Sequence, residues 1–273
     1  MINNYLVLYG RFTMIDALEN FLQWTSWPMK TPEIWGVFHM TFLAVGLMLT
    51  VAVCYLLKDI DDKKHDKVIL AIGIFLAVIE IYKQLYYYFV VGQRSYQYWV
   101  FPFQLCSIPI YLCLIIPFVK KEKLKQAMYD FLVYFNFLGG LAAFVEPSGI
   151  VHDRITLTLH SYTWHMMLIF IGAFLVVTKK VKADKKSLFN SFKVFLVLAV
   201  VAFAINCLLW QPSNGSINMF FVGPANSSLV VFKDIARKYG WYVSTLLYLP
   251  TVCLGATLMW LPIHFIQKKN TQA

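Results

Sequence analysis

Seven apolar stretches dominate this sequence, and each is long enough to cross the hydrocarbon core of a bilayer. A helix rises about 1.5 Å per residue, so about 20 residues span a core of roughly 30 Å. The chain is 59% hydrophobic and 14% charged, whereas a soluble domain is about half apolar and a quarter charged. We therefore predict an all-α, polytopic membrane helical bundle. Its spans are expected at about residues 34–57, 68–90, 98–119, 126–145, 155–177, 192–210 and 241–266.

The loops between these stretches alternate in lysine content, and the alternation predicts an orientation. Lysines cluster at 58–67, 120–125, 179–186 and 268–269, whereas each intervening short loop holds a single arginine. Basic residues favour cytoplasmic loops, so we expect the N-terminus outside and the C-terminus in the cytoplasm. The same clusters explain the formal net charge of +10. Nucleic-acid binding is not expected, because no basic stripe with interleaved aromatics occurs outside the apolar stretches.

The chain divides into an N-terminal interfacial segment (1–33), a single transmembrane domain (34–267) and a short cytoplasmic tail (268–273). Residues 3–27 mix polar and apolar side chains, which is typical of an amphipathic helix at a membrane surface. All five cysteines lie in apolar stretches without CxxC spacing, so neither a disulfide framework nor a zinc site is indicated. No cofactor is expected, and nothing in the sequence indicates an oligomeric state.

Several ionisable or polar side chains inside the predicted spans share one level, roughly 8–15 Å below the outer face. They are His39, Glu80, Lys83, Cys106, His160, His165 and Asn206. Such groups are costly in lipid and mark functional sites. We expect His39, Cys106, His165 and Asn206 to line one cavity, with Glu80 and Lys83 at its edge.

A thiol and an imidazole at one depth favour nucleophilic catalysis. We assign Cys106 as the nucleophile, His165 as general base and acid, and His39 as a second imidazole that orients or shuttles a proton. His160 and His165 are five residues apart and diverge by roughly 140° on a helix, so both are not expected to face one small centre. Lipid acyl carbonyls lie at about this depth, and the pattern therefore predicts acyl transfer or ester cleavage on lipids.

Each of these side chains has an alternative interpretation. Glu80 and Lys83 can simply neutralise each other, His39 can cap a helix end, and Cys106 can be an inert buried thiol. A non-enzymatic alternative is a transporter or sensor that uses the Glu80–Lys83 pair and the histidines to carry a proton or bind a solute. A metal centre built from His39, His165 and Glu80 is less favoured, because no HExxH-type helix is present. We name no metal ligands.

Four segments resemble the bacterial YwaF-like integral membrane proteins. They are WGVFHMTFLAVG from residue 35, FPFQLCSIP from residue 101, HMMLIFIGAFLVV from residue 165, and NCLLWQPSNGSINMFFVGPANSSLV from residue 206. The resemblance covers nearly the whole chain from about Pro32. That family is similar to the transmembrane protein 164 acyltransferases and, more distantly, to the androgen-induced hydrolases of fatty acid esters.

The resemblance implies a multi-pass protein of the bacterial plasma membrane with lipid acyl chemistry. It matches Cys106 to an acyl-carrying cysteine and His165 to the histidine partner of that cysteine. Many family members have a histidine where this chain has Gln104, and the hydrolase branch uses a threonine, for which Thr41 is the candidate here. The expected partner is a membrane phospholipid or another acyl lipid. Its predicted binding residues are Glu80, Lys83, Gln104, His160, Asn206 and Asn218.

Overall fold

The computed structural model describes residues 14–272, with side chains up to residue 269. The predicted amphipathic helix at 3–27 therefore lies partly outside the described residues. Within this range the chain forms ten α-helices. They are α1 (Met14–Trp24), α2 (Val37–Leu57), α3 (Asp62–Tyr86), α4 (Ile108–Ile115), α5 (Glu122–Phe131), α6 (Phe137–Val145), α7 (Ile155–Val177), α8 (Lys185–Leu208), α9 (Phe232–Tyr239) and α10 (Trp241–Gln272).

Within residues 14–272, six helical segments are long and apolar enough to cross a membrane, which confirms the polytopic helical bundle. They are Val37–Leu57, Asp62–Val91, Glu122–Val145, Ile155–Val177, Lys185–Leu208 and Trp241–Lys269. The third predicted span, 98–119, differs from the other six. Its longest helical segment is Leu105–Phe118, and at about 1.5 Å per residue this segment is roughly 21 Å long, short of a full crossing.

The positions of three prolines explain where the third span is helical and where it is not. Proline lacks a backbone N–H and disfavours helical geometry at the residue before it. The chain therefore bends at Pro102 and enters a 3₁₀ turn at Leu105–Ser107 before α4 begins. Pro109 lies in the first turn of α4, where a missing N–H does no harm. Pro117 lies in the 3₁₀ turn that ends the segment.

The segment that holds α4 nevertheless runs antiparallel to α3 along most of that helix. Near the middle of α3, a Cβ built on Gly73 would meet the Leu114 backbone N at 2.8 Å, so the two backbones nearly touch. Near its end, the Gln84 Nε2 donates to the carbonyl oxygen of Val100 at 2.7 Å. The segment thus connects the two ends of the bundle, with α4 as its α-helical part and the rest in extended or 3₁₀ form.

The lysine-rich loops lie together at one end of the bundle. There the Lys125 Nζ lies 2.9 Å from a carboxylate oxygen of Asp66, and the Lys180 Nζ lies 2.5 Å from a carboxylate oxygen of Asp62. These two ion pairs join the start of α3 to the start of α5 and to the loop before α8. The alternation in lysine content therefore corresponds to two distinct ends, and which end faces the cytoplasm remains a prediction from the lysines.

Helix α1 lies at the opposite end and packs against the end of α3. Its Leu22 is buried in a cluster with Tyr86, Tyr87 and Leu157. Arg94, in the loop after α3, donates to a carboxylate oxygen of Glu19 at 2.7 Å. An amphipathic helix outside the spans thus packs on the lysine-poor end of the bundle, against the end of α3.

Candidate functional site

A cavity of about 730 Å³ opens at the lysine-poor end of the bundle. Its walls come from the end of α3, the turns before α4, the loop between α6 and α7, the first half of α7, and the loop 209–231. Its polar lining includes Lys83, Gln104, Cys106, His152, His160, Ser161, His165 and Asn218. Six of the side chains predicted for the site therefore meet in one cavity.

The turn that carries Cys106 is held by hydrogen bonds from other helices. The indole Nε1 of Trp164, on α7, donates to the carbonyl oxygen of Cys106 at 2.9 Å. The Asn136 Nδ2 donates to the carbonyl oxygen of Leu105 at 2.8 Å. Asn136 ends a π-helical turn between α5 and α6, a distortion frequent at functional sites. Carbonyls outside a regular helix need partners in a membrane, and these two bonds fix the thiol-bearing turn.

His165 is held in a form that leaves one ring nitrogen available as a base. Its Nδ1 lies 2.8 Å from the carbonyl oxygen of Ser161, one turn earlier on α7. A carbonyl oxygen only accepts hydrogen bonds, so Nδ1 carries the proton and Nε2 of the neutral ring carries a lone pair. His165 lines the same cavity as Cys106.

His160 also lines the cavity, although its spacing from His165 predicts that the two diverge. The His160 ring stacks on the indole of Trp164 with centroids 5.4 Å apart. Among the described residues its buried Nε2 has no hydrogen-bond partner. A cavity of this size extends around α7 far enough to meet both imidazoles, with Trp164 between them. Both imidazoles therefore line one large cavity, and the expectation that they do not share one small centre stays a prediction.

Lys83 and Glu80 form an ion pair beside the cavity. The Lys83 Nζ lies 2.8 Å from Glu80 Oε1, and Gln84 Nε2 donates to the same oxygen at 2.7 Å. Lys83 lines the cavity, while Glu80 is 5% exposed and lies behind it. The arrangement presents a cation to the cavity and keeps its counter-ion in the wall.

His39 does not line the cavity, so this part of the expected site is wrong. It is fully buried on α2, where its Nδ1 lies 3.0 Å from the hydroxyl oxygen of Tyr162. Its ring packs against Trp35 and Phe144 at centroid distances of 5.1 and 5.8 Å. His39 has the expected depth, but α2 packs on the side of α7 that carries Tyr162. Depth alone does not determine which side of a helix a residue contacts.

Asn206 does not line the cavity either, and it acts one layer behind the wall. Its Oδ1 accepts from the backbone N–H of Met219 at 2.7 Å. Its Nδ2 donates to the carbonyl oxygens of Met219, at 3.0 Å, and of Val222. These bonds pin the loop 209–231 to α8. Both N–H groups of the amide are used in the wall, which leaves it no free donor for a substrate.

Gln104 and Asn218 line the cavity and tie the loop 209–231 to the turn before α4. The Gln104 Nε2 donates to the carbonyl oxygen of Asn218 at 3.2 Å, and its Oε1 accepts from the backbone N–H of Phe220 at 3.2 Å. The Asn218 Nδ2 donates to the carbonyl oxygen of Asn226 at 3.3 Å. Its Oδ1 is buried and has no partner among the described residues, so it remains an acceptor for a ligand.

The structure adds Ser161 and Trp164, which the sequence did not single out as site candidates, and it places His152, expected to line an entrance, at the cavity. Ser161 and Trp164 line the cavity beside His165, and His152 of the preceding loop lies against Ser161. Trp164 and His165 follow Ser161 by three and four residues on α7, so the three side chains lie on one helical face. That spacing was available in the sequence, but a hydroxyl and an indole do not stand out in an apolar span as an imidazole does.

The alternative centres find less support in the geometry. Within the part of the chain that the structure describes, no three His, Cys, Asp or Glu side chains are grouped to hold a metal ion. His39, which the metal alternative requires, lies outside the cavity. Thr41, the alternative nucleophile, is exposed on α2 and is not part of the cavity lining.

Comparisons with known proteins identify the family but no individual relative. No curated protein and no solved structure matches the chain. The family model described as the TMEM164 family matches residues 34–261. The match spans all the predicted site residues, and it confirms the resemblance to the transmembrane protein 164 proteins, while the narrower YwaF-like resemblance stays a prediction. This chain is a multi-pass membrane protein that belongs to the TMEM164 family.

Proposed function

We propose that this protein transfers or hydrolyses lipid acyl groups through Cys106 and His165 in the cavity at the lysine-poor end of the bundle. One observation carries the proposal. Cys106, in the turn before α4, and His165, on α7, line the same cavity, and the Nδ1 bond to Ser161 leaves a lone pair on the Nε2 of His165. A base beside a thiol is the arrangement that nucleophilic catalysis by cysteine requires. Membership of the TMEM164 family supports a membrane acyltransferase-like role.

The first half-reaction acylates the protein. The Cys106 sulfur attacks the ester carbonyl carbon of a lipid, and its proton moves to Nε2 of His165. The C–O bond of the tetrahedral intermediate then breaks, and the leaving alkoxide takes the proton from His165. The products are a lipid with a free hydroxyl and an acyl thioester on Cys106.

The second half-reaction releases the acyl group. The hydroxyl of an acceptor lipid, or water, attacks the thioester while His165 takes its proton. The Cys106 thiolate leaves and regains that proton. A lipid acceptor makes the reaction a transfer, and water makes it a hydrolysis.

Lys83 is our candidate for stabilising the oxyanion of both intermediates. The amides of Asn206 and Gln104 are less suited to this role, because both N–H groups of Asn206 and one of Gln104 donate to backbone carbonyls of the loop 209–231. Lys83 presents an ammonium group to the cavity, and a cation aimed at developing negative charge lowers the barrier. We also propose a phospholipid or another acyl lipid as substrate, because the cavity lies in a membrane bundle whose helices expose many large apolar side chains.

A protein-bound acyl group tests the proposal. The protein in vesicles is incubated with a phospholipid that carries a labelled acyl chain, and neutral hydroxylamine then releases the label from any thioester. We expect label on the wild type and none on Cys106→Ala. His165→Ala should slow acylation by about 10²–10⁴-fold, the usual contribution of a general base.

Cys207→Ala is the matched control, because this thiol is exposed on α8 and is not part of the cavity lining. It should be acylated at the wild-type rate at Cys106. Equal acylation of Cys106→Ala would reject the thiol as nucleophile. A transporter or sensor that uses the Glu80–Lys83 pair would give no acyl-protein and would keep its activity in Cys106→Ala.

A further inference from the structure

A serine and a histidine contact each other on the cavity wall. The Nε2 of His152, in the loop between α6 and α7, lies 3.1 Å from the hydroxyl oxygen of Ser161, and both residues line the cavity. The backbone of His152 is clamped separately. Its N–H donates to the Thr158 hydroxyl at 3.0 Å, and its carbonyl oxygen accepts from that hydroxyl at 3.1 Å. Thr158 thus already anchors the loop, so the Ser161 contact is not needed for that purpose.

Ser161 lies one helical turn before Trp164 and His165 on α7. Its own carbonyl oxygen accepts from His165 Nδ1 at 2.8 Å. Trp164, three residues further on, donates to the carbonyl oxygen of Cys106 at 2.9 Å. One face of α7 therefore presents the serine hydroxyl and the His165 imidazole to the cavity that also holds the thiol.

His152 is suited to act as a base for this hydroxyl. Burial lowers the pKa of His152 below its usual range, and the neighbouring Asp153 opposes part of that shift. At neutral pH the ring is therefore uncharged, and with the proton on Nδ1 its Nε2 accepts from the Ser161 hydroxyl. A serine hydroxyl is a weak nucleophile until an adjacent base activates it.

We propose that Ser161 and His152 form a second nucleophile–base pair, which takes the acyl group from Cys106 as an oxyester before the acceptor receives it. This inference rests on the proposed acyl chemistry of Cys106. The Ser161 oxygen attacks the thioester carbonyl carbon while His152 Nε2 takes the hydroxyl proton. The C–S bond breaks, and that proton passes from His152 to the departing Cys106 thiolate. An acceptor hydroxyl or water then attacks the oxyester, and Ser161 regains its proton through His152.

A fluorophosphonate reagent tests the serine without using any lipid, because such reagents label serines that a base activates. The intact protein in vesicles is treated with the reagent, and the labelled peptide is identified by mass spectrometry. We expect an adduct on Ser161 in the wild type and in Cys106→Ala. His152→Gln should reduce its rate at least about tenfold, at the low end of general-base effects. Ser216→Ala, a change in the same cavity but in the loop 209–231, should leave it unchanged.

The chemistry of the acyl bond gives the second measurement. Neutral hydroxylamine cleaves thioesters, whereas oxyesters need alkaline hydroxylamine. During turnover of labelled phospholipid, we expect wild type to carry both bonds and Ser161→Ala to carry only the thioester, which should accumulate.

The outcomes separate this inference from the proposed function. A Cys106 thioester that forms and turns over at the wild-type rate in Ser161→Ala, with no fluorophosphonate adduct in the wild type, overturns the serine pair alone. An oxyester on Ser161 that persists in Cys106→Ala overturns the transfer from Cys106 and rejects Cys106 as the first nucleophile. No acyl group on the protein in any form overturns both. The fluorophosphonate reaction is measured on the wild type, so misfolding of a variant cannot account for a missing adduct on Ser161.

Discussion

Trp164 connects helix α7, which carries His165, to the turn that carries Cys106. Its indole N–H holds the carbonyl oxygen of Cys106, and its ring stacks with His160. Lys83 lies above the same ring, with Nζ 5.8 Å from the centroid. One side chain therefore sets the position of the thiol relative to two charged or titratable groups.

Trp164→Phe removes this hydrogen bond and keeps most of the ring. A buried carbonyl left without a donor costs about 1–3 kcal/mol. We expect lower thermal stability and acylation of Cys106 slowed by roughly tenfold, which corresponds to about 1.4 kcal/mol. Trp260→Phe is the control, because its Nε1 donates to the carbonyl oxygen of Asp184 at 3.2 Å beside the lysine-rich loops. It should lower stability without slowing acylation, and equal slowing in both variants would assign Trp164 a purely structural role.

At this scale the sequence predicted residue types better than their partners. Cys106 and His165 could be singled out because a thiol and an imidazole lie at one depth that can be counted along the spans, and both line the cavity. His39 has the same depth but contacts Tyr162 instead. Counting along a helix gives a height, and the direction of a side chain depends on which neighbours pack around that helix. Asn206 also has the expected depth, but its amide bonds to the loop 209–231 and does not line the cavity.

Close approach of α6 and α7 positions His165 at the scale of the elements. A Cβ on Gly140 would lie 2.9 Å from the carbonyl oxygen of His165 and 3.0 Å from the backbone N of Ile169. Both are backbone atoms, so neither can move without moving α7. The two helices can touch here because Gly140 of α6 has no side chain.

Gly140→Ala should therefore separate α6 from α7. Overfilling a packed contact costs about 1–3 kcal/mol, and displacement of His165 should also slow acylation. Gly139→Ala is the matched control, since a Cβ there meets no atom within 4 Å and alanine lowers the entropy of the unfolded chain. That change should be neutral or stabilise by up to about 1 kcal/mol. Thermal unfolding in detergent compares the two, and equal melting temperatures would show that the contact is loose.

The loop 209–231 depends on Asn206 to cover the cavity. Asn206→Leu removes three hydrogen bonds to backbone groups of this loop, and each buried group left unpaired costs about 1–3 kcal/mol. We expect faster deuterium uptake by backbone amides in 209–231, with little change in α2. Cys207→Ala, at the adjacent exposed position, should leave uptake as in the wild type. Unchanged uptake in Asn206→Leu would mean that Gln104 alone suffices to hold the loop.

The elements were predicted well where apolar runs are continuous and less well where proline interrupts them. Hydropathy alone indicated a span at 98–119, but only α4 within that segment is α-helical, and the rest is extended or 3₁₀. Pro102 was visible in the sequence. Its effect depends on whether other helices can bond the freed carbonyls, and the partners at Asn136 and Trp164 lie far along the chain.

For the whole molecule, the two ends of the bundle differ in charge, and this predicts its orientation. With the native cysteines replaced, thiols introduced by Lys63→Cys, Lys123→Cys and Lys182→Cys should be shielded from an impermeant reagent in intact cells. Ser148→Cys, in the loop between α6 and α7, should react. All four positions are exposed on the protein surface, so only the membrane distinguishes them. The reverse pattern would move the cavity to the cytoplasmic side.

The bonds that hold the Cys106 turn also bear on how the molecule is made. The ribosome releases the N-terminal part first, so Leu105 and Cys106 emerge before their donors, which follow 31 and 58 residues later. Gln104 must wait longer still, for contacts 114 and 116 residues downstream. Until then, this stretch presents bare carbonyls to lipid, a state that hydrocarbon strongly disfavours. The segment that carries Cys106 therefore reaches its final structure late in biogenesis. A nascent chain truncated before α7 would carry the thiol without the hydrogen bond from Trp164 and without His165.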